Sequence, residues 1–166
     1  MRLVAALLVA LSVLAGCAGD DDSEVLPRLQ VGQIAPAVRA VEAKTGGAQR
    51  YSEINATPEG VNLFVTAGED DEQAWFYADG RLSGPGEPKK REGDSFDLGG
   101  VTIDAAPRLV DQVEKQFPGA RVVRVALLVV DDQGLVWAVR SRSAKGGELA
   151  LFYTPGGALL SVSPIG

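Results

Sequence analysis

A repeat constrains this chain more than any other feature of its sequence. Val41-Glu42-Ala43-Lys44-Thr45-Gly46-Gly47 aligns with Val113-Glu114-Lys115-Gln116-Phe117-Pro118-Gly119. Gly60-Val61-Asn62-Leu63-Phe64-Val65 aligns with Gly134-Leu135-Val136-Trp137-Ala138-Val139, and Phe76-Tyr77-Ala78-Asp79-Gly80 with Phe152-Tyr153-Thr154-Pro155-Gly156. Three matches in the same order point to a duplication. The register drifts by about four residues from first match to last, and the drift falls in turns, where insertions are tolerated.

Each copy begins with a helical pattern. Ile34, Val38, Val41 and Thr45 recur at helical spacing, with Arg39, Glu42 and Lys44 outside the stripe. Gly46-Gly47 stops it, since glycine accepts the left-handed conformation of a helix end. Strand-like runs follow at 50–57, 61–67 and 73–78, and Asp79-Gly80 turns into a short run at 81–83. In the second copy Asp104 is positioned to cap a helix whose apolar face is Leu109, Val110, Val113 and Phe117, stopped by Pro118-Gly119. Strands are expected at 121–130, 135–142 and 148–154, with a last one near 158–162. The expected class is α+β: two tandem repeats, each of one helix plus a three- or four-stranded antiparallel sheet, at 33–84 and 101–166. Between them, residues 85–100 carry Gly and Pro punctuation and Lys89-Lys90-Arg91, and they read as a linker.

Ahead of the repeats, Arg2 precedes an apolar run from Leu3 to Ala15, broken only by Ser12. The composition then flips to Asp20-Asp21-Asp22-Ser23-Glu24. A basic start, a short apolar core and a small-residue junction describe an export signal. The run is too short for a spanning helix, which needs roughly 20 residues. At Leu14-Ala15-Gly16-Cys17 the sequence resembles a bacterial lipoprotein precursor, matching that family's lipobox at every position. The resemblance implies a signal peptide at 1–16, lipidation at Cys17 and a cell-membrane anchor facing the extracytoplasmic side. A thioether-linked diacylglycerol and an amino-terminal acyl chain such as palmitate would supply the two or more chains that stable anchoring needs. Cys17 is the sole cysteine, so no internal disulfide can form. Residues 17–32, acidic and without apolar periodicity, read as a tether.

A helix followed by an antiparallel meander, twice over, resembles the PepSY-like and beta-lactamase-inhibitor-like modules of exported bacterial proteins. Tyr77-Ala78-Asp79-Gly80-Arg81-Leu82 is the nearest local match, similar to the Asp-x-x-Gly-x-Val ending of a PepSY unit but one residue tighter. The resemblance implies an inhibitory, regulatory or adhesive role.

Little catalytic chemistry is available. The chain has no histidine, which removes Ser-His-Asp and Cys-His machinery and the usual histidine-bearing zinc sites. It has no Gly-Lys dipeptide for a Walker-type phosphate loop. A net charge of −6 argues against nucleic acid as a partner, because phosphates demand a basic face. Glu69-Asp70-Asp71-Glu72 lacks the alternating ligands and mid-loop glycine of a calcium loop and reads as a solvated turn, as does Asp131-Asp132. No catalytic residue, metal or cofactor is therefore expected.

The strand pattern is more informative. Val61, Leu63 and Val65, like Leu135, Trp137 and Val139, alternate with residues that face away from the core. That outer face carries Phe64, Thr66, Arg124, Arg140 and Arg142. Arginine with aromatics is the composition of protein-binding surfaces. Phe64, Arg124, Arg140 and Arg142 are accordingly the candidate interface of a non-catalytic, membrane-anchored module for another envelope or exported protein. The alternative is a carrier of a lipid or small hydrophobic ligand, which would need a cavity between sheet and helices.

Overall fold

A computed structural model describes residues 27–143 and 146–165. The expected signal peptide, Cys17 and most of the expected tether lie outside the described residues.

A short 3-10 turn at Val31–Gln33 leads into helix α1, Ile34–Thr45. Ile34, Ala37, Val38 and Val41 form its buried stripe, and Gly46, at φ 87°, closes it in the left-handed conformation. Pro36 sits in the first turn, where its missing N–H has no intrahelical acceptor to satisfy. Helix α2, Ala105–Gln116, repeats this arrangement, with Pro107 in the first turn and Ala105, Ala106, Leu109 and Val113 buried. The expected Asp104 side-chain cap is not made. Instead the amides of Ala105 and Ala106 donate to the carbonyls of Thr102 and Ile103, so a preceding turn absorbs the free donors.

Nine strands follow among the described residues: β1 (Tyr51–Ala56), β2 (Val61–Thr66), β3 (Asp71–Ala78), β4 (Arg81–Ser83), β5 (Lys89–Lys90), β6 (Ala120–Val130), β7 (Gly134–Ser143), β8 (Glu148–Tyr153) and β9 (Leu159–Ile165). They do not form two small sheets. One antiparallel sheet runs β4-β3-β2-β1-β6-β7-β8-β9, with β5 also paired to β3. The expected class of two tandem helix-plus-sheet repeats is therefore corrected to a single broad sheet carrying two short helices. The physical reason lies at the junction. As the first strands of their meanders, β1 and β6 would each be left with a bare backbone edge. They pair with each other, Ile54 opposite Leu127 and Ala56 opposite Val125, and so satisfy both edges. All four side chains are buried.

Three residues of the expected linker 85–100 pair with the same sheet. Lys89 and Lys90 pair with Glu72 and Asp71 of β3. Phe96 is buried and exchanges backbone hydrogen bonds of 2.8 Å in both directions with Tyr51, and the two rings lie 6.2 Å apart.

Register fixes the two faces, because directly opposed residues in an antiparallel ladder point to the same side. One row crosses six strands as Trp75–Leu63–Ile54–Leu127–Trp137–Tyr153. A parallel row crosses as Val61–Ala56–Val125–Val139–Leu151. Every one of these residues is buried, and they belong to one core cluster with the apolar stripes of both helices. Both helices thus cover one face of the sheet. Helix α1 packs over β1–β4 and α2 over β6 and β7.

Candidate interaction surface

The opposite face has no helix over it among the described residues. Its central row reads Phe76–Asn62–Asn55–Ala126–Ala138–Phe152–Ser161, with half-buried phenylalanines toward either side and small or amide side chains between. The next row is Ala74–Phe64–Glu53–Leu128–Val136. Ala126 and Val136 are buried even here, at 1% and 0% exposure.

All four candidate interface residues lie on this face. Phe64 is half-buried on β2, opposite Glu53. Arg124 and Arg140 are direct cross-strand partners on β6 and β7, and Arg142 stands opposite Arg121 one step further along. Parity with buried Val125 and Leu127 places Arg124 here, and the bulge between Val122 and Arg124 brings Arg121 to the same side. The extra residue shifts the parity of β6, so that Val122 and Val125 are both buried while Arg121 and Arg124 are exposed.

The structure separates these residues into two patches. Arg124 donates to Glu53 at 2.7 Å, Asn55 donates to the same carboxylate oxygen at 2.7 Å, and Asn62 donates to Asn55 at 2.9 Å. This chain of polar groups reaches toward Phe64. Arg140 and Arg142 instead converge on Glu148 of β8, at 4.0 and 2.6 Å. Each cluster therefore pairs arginine with carboxylate within the face. Exposed pairs of this kind contribute about 0–1 kcal/mol to stability and can exchange partners readily. Glu53, Glu148, Phe76 and Phe152 were not singled out from sequence. Strand parity around the two phenylalanines, each just before a turn signal, was the signal that could have found the aromatics. The carboxylates needed the register.

The acidic loop sits at the far edge of the sheet. Lys90 donates to Asp70 at 3.0 Å, Arg91 donates to the Glu69 carbonyl at 2.9 Å, and Ser52 bonds Glu72. The Lys90 ammonium holds the Asp70 carboxyl below its usual range, first through that hydrogen bond and then through charge. Basic residues from β5 and the segment after it thus complement the carboxylates. Among the described residues no group of three potential ligands is arranged to hold a metal ion, and no helix is long and apolar enough to cross a membrane.

A cleft of about 520 Å³ opens between α1 and the segment before α2. Ala35, Val38, Leu98, Val101 and Ile103 supply apolar walls, and Arg39, Glu42 and Asp104 supply charge. It lies beside the helices, not between helices and sheet, where the side chains of the core are packed together.

Among the described residues, four buried polar groups on the helix side of the sheet have no hydrogen-bond partner: the Tyr51, Ser141 and Tyr153 hydroxyls and the Trp137 indole N–H. Burial pushes both phenols above the ordinary tyrosine value, and for Tyr51 the charge of Glu42 adds to the effect.

No known protein family, curated protein or solved structure matches this chain.

Proposed function

We propose that this chain is a lipid-anchored, extracytoplasmic binding protein without a catalytic step of its own, and that it engages another exported or envelope protein through the helix-free face of its sheet. One observation carries the reading. Arg124, Arg140, Arg142, Glu53, Glu148, Phe64, Phe76 and Phe152 share a sheet face that no helix covers among the described residues. Arginine and aromatic side chains dominate the energetics of protein interfaces, where aromatics fill pockets and arginines make directional bonds. Arg124 and Arg140 already have carboxylate partners, so a binding protein would exchange one carboxylate for another rather than strand a charge. The anchor is supported by Leu14-Ala15-Gly16-Cys17.

Two experiments test the two halves of this reading. Palmitate labelling should mark the parent chain and be lost in Cys17→Ser, and labelling that persists in the variant removes the anchor. A photo-reactive side chain at Phe64 or Arg140, in cells, should yield a discrete adduct that the same probe at Arg39 or Lys44 does not. Equal adducts from sheet face and helix remove the interface.

The second reading, the carrier, would have to use the cleft beside α1 in place of the cavity between sheet and helices that it was expected to need; the cleft's volume falls in the range of small-ligand sites. A carrier predicts a lipid or other hydrophobe that copurifies with the chain and is displaced by Ala35→Trp, at a cleft-lining position outside the buried stripe.

A further inference from the structure

The two outer edges of the sheet are finished differently. At one, β3 is flanked by the short strands β4 and β5, whose paired residues include Arg81, Lys89 and Lys90. Short strands and lysines are how an edge is kept from pairing with another chain. At the other, β9 runs for seven residues, Leu159–Ile165, without a charged side chain. No strand among the described residues pairs with its far side. Leu159, Leu160 and Val162 are 42%, 49% and 42% exposed there. Helix α2 packs over β6 and β7, leaving the helix side of β9 beyond its reach.

The order of residues along this edge is self-complementary. Leu160-Ser161-Val162-Ser163-Pro164 reads as apolar, serine, valine, serine, apolar in either direction. An antiparallel strand paired with its own copy about Val162 would place Val162 against Val162, Ser161 against Ser163, and Leu160 against Pro164. In each of these pairs like chemistry meets like. Opposed side chains would also agree in direction, since Val162 shares the core side with Leu151 while Ser161 and Ser163 share the outer side with Phe152 and Ala150.

We infer that β9 pairs antiparallel with β9 of a second copy of this chain, centred on Val162, to make one sheet across a twofold axis. The interface is isologous, so it closes at the dimer. Two features keep it short. The register shift near Leu159 and Leu160 bends the strand at one end, and Pro164 lacks an N–H to donate at the other. The chain carries a net charge of −6, which opposes self-association over most of its surface, and β9 is a neutral stretch within it. This inference goes beyond the binding role proposed above and does not depend on the anchor.

Cys17 is the sole cysteine, so the full chain carrying Cys17→Ser accepts single reporter thiols. Val162→Cys brings two thiols to a Cα separation of about 5 Å across the twofold, within reach of a disulfide. Leu159→Cys and Ile165→Cys each place their copies roughly 20 Å apart. Under mild oxidation Val162→Cys should form covalent dimer at least about tenfold faster than Leu159→Cys, Ile165→Cys or Ser83→Cys at the opposite edge. A mixture of Ser161→Cys and Ser163→Cys chains should favour the mixed dimer over either self-dimer. Rates that are equal at all four positions, or a Val162→Cys chain that links no faster than Ser83→Cys, overturn the inference. Val162→Lys provides a check without oxidation. It should abolish any concentration-dependent dimer seen by sedimentation and leave the melting temperature unchanged. A dimer that survives Val162→Lys likewise overturns the inference.

Discussion

The two faces of the sheet share the same strands yet do opposite things with their side chains. On the helix face Trp75, Leu63, Ile54, Leu127, Trp137 and Tyr153 make an unbroken buried row, and no charge interrupts it. On the other face the neighbouring rows mix Phe64, Phe76 and Phe152 with Asn55, Asn62, Glu53 and three arginines. A strand alternates its side chains, so each β-strand supplies one residue to stability and the next to the surface. Substitutions one residue apart should therefore separate folding from binding, and that separation can be measured.

The largest effect is expected on the helix face. Trp137→Ala should destabilise the fold by about 3–5 kcal/mol, read as a lower denaturant midpoint. That is a large fraction of the roughly 5–15 kcal/mol by which a domain is stable. Phe64→Ala, on the open face, should lose no more than about 1–2 kcal/mol because the ring is half-buried. Equal losses at the two positions would break the comparison.

A pH titration sharpens it, because both perturbed tyrosines lie on the helix face. Their folded-state pKa values are raised by burial above the ordinary value of 10.0. Below that value the phenols are protonated in both folded and unfolded chains, and the full stability is present. As pH rises past it, the unfolded chain loses protons that the folded chain retains, so stability falls by up to about 1.4 kcal/mol per pH unit for each such group. Tyr51→Phe should flatten that alkaline decline. At neutral pH it should be neutral or slightly stabilising, since it removes a buried hydroxyl without a partner. An unchanged alkaline slope would show that Tyr51 ionises freely in the folded chain.

The smallest effects on stability are expected from the arginines. Arg124→Ala and Arg140→Ala each break an exposed pair, to Glu53 and Glu148, and should shift stability by about 0–1 kcal/mol. A loss as large as that of Trp137→Ala would make the open face part of the core.

Much of the local structure was legible in the sequence. The α1 stripe of Ile34, Val38 and Val41 and the Gly46 stop are fixed within a few residues of chain, and so are the turns at Asp79-Gly80 and Asp131–Gly134. The joining of two meanders into one sheet was not legible, because the pairing of Ile54 with Leu127 spans residues far apart in sequence and no local pattern encodes it. Similarly, Lys89-Lys90 reads as part of a linker, and only the proximity of Asp71 and Glu72 makes a strand of it. The arginines could be assigned to the outer face by parity. Their division into a Glu53 patch and a Glu148 patch depends on the β6–β7–β8 register, including a bulge that the sequence does not announce.

The most direct test of the central claim measures folding and binding on the same variants. In cells, a protein cross-linked by a probe at the sheet face would be identified and its capture quantified alongside the melting temperature. Arg124→Ala and Arg140→Ala are predicted to melt with the parent and to weaken capture at least tenfold, about 1.4 kcal/mol. Capture that is unchanged in both variants, with melting also unchanged, would contradict a binding role for this face.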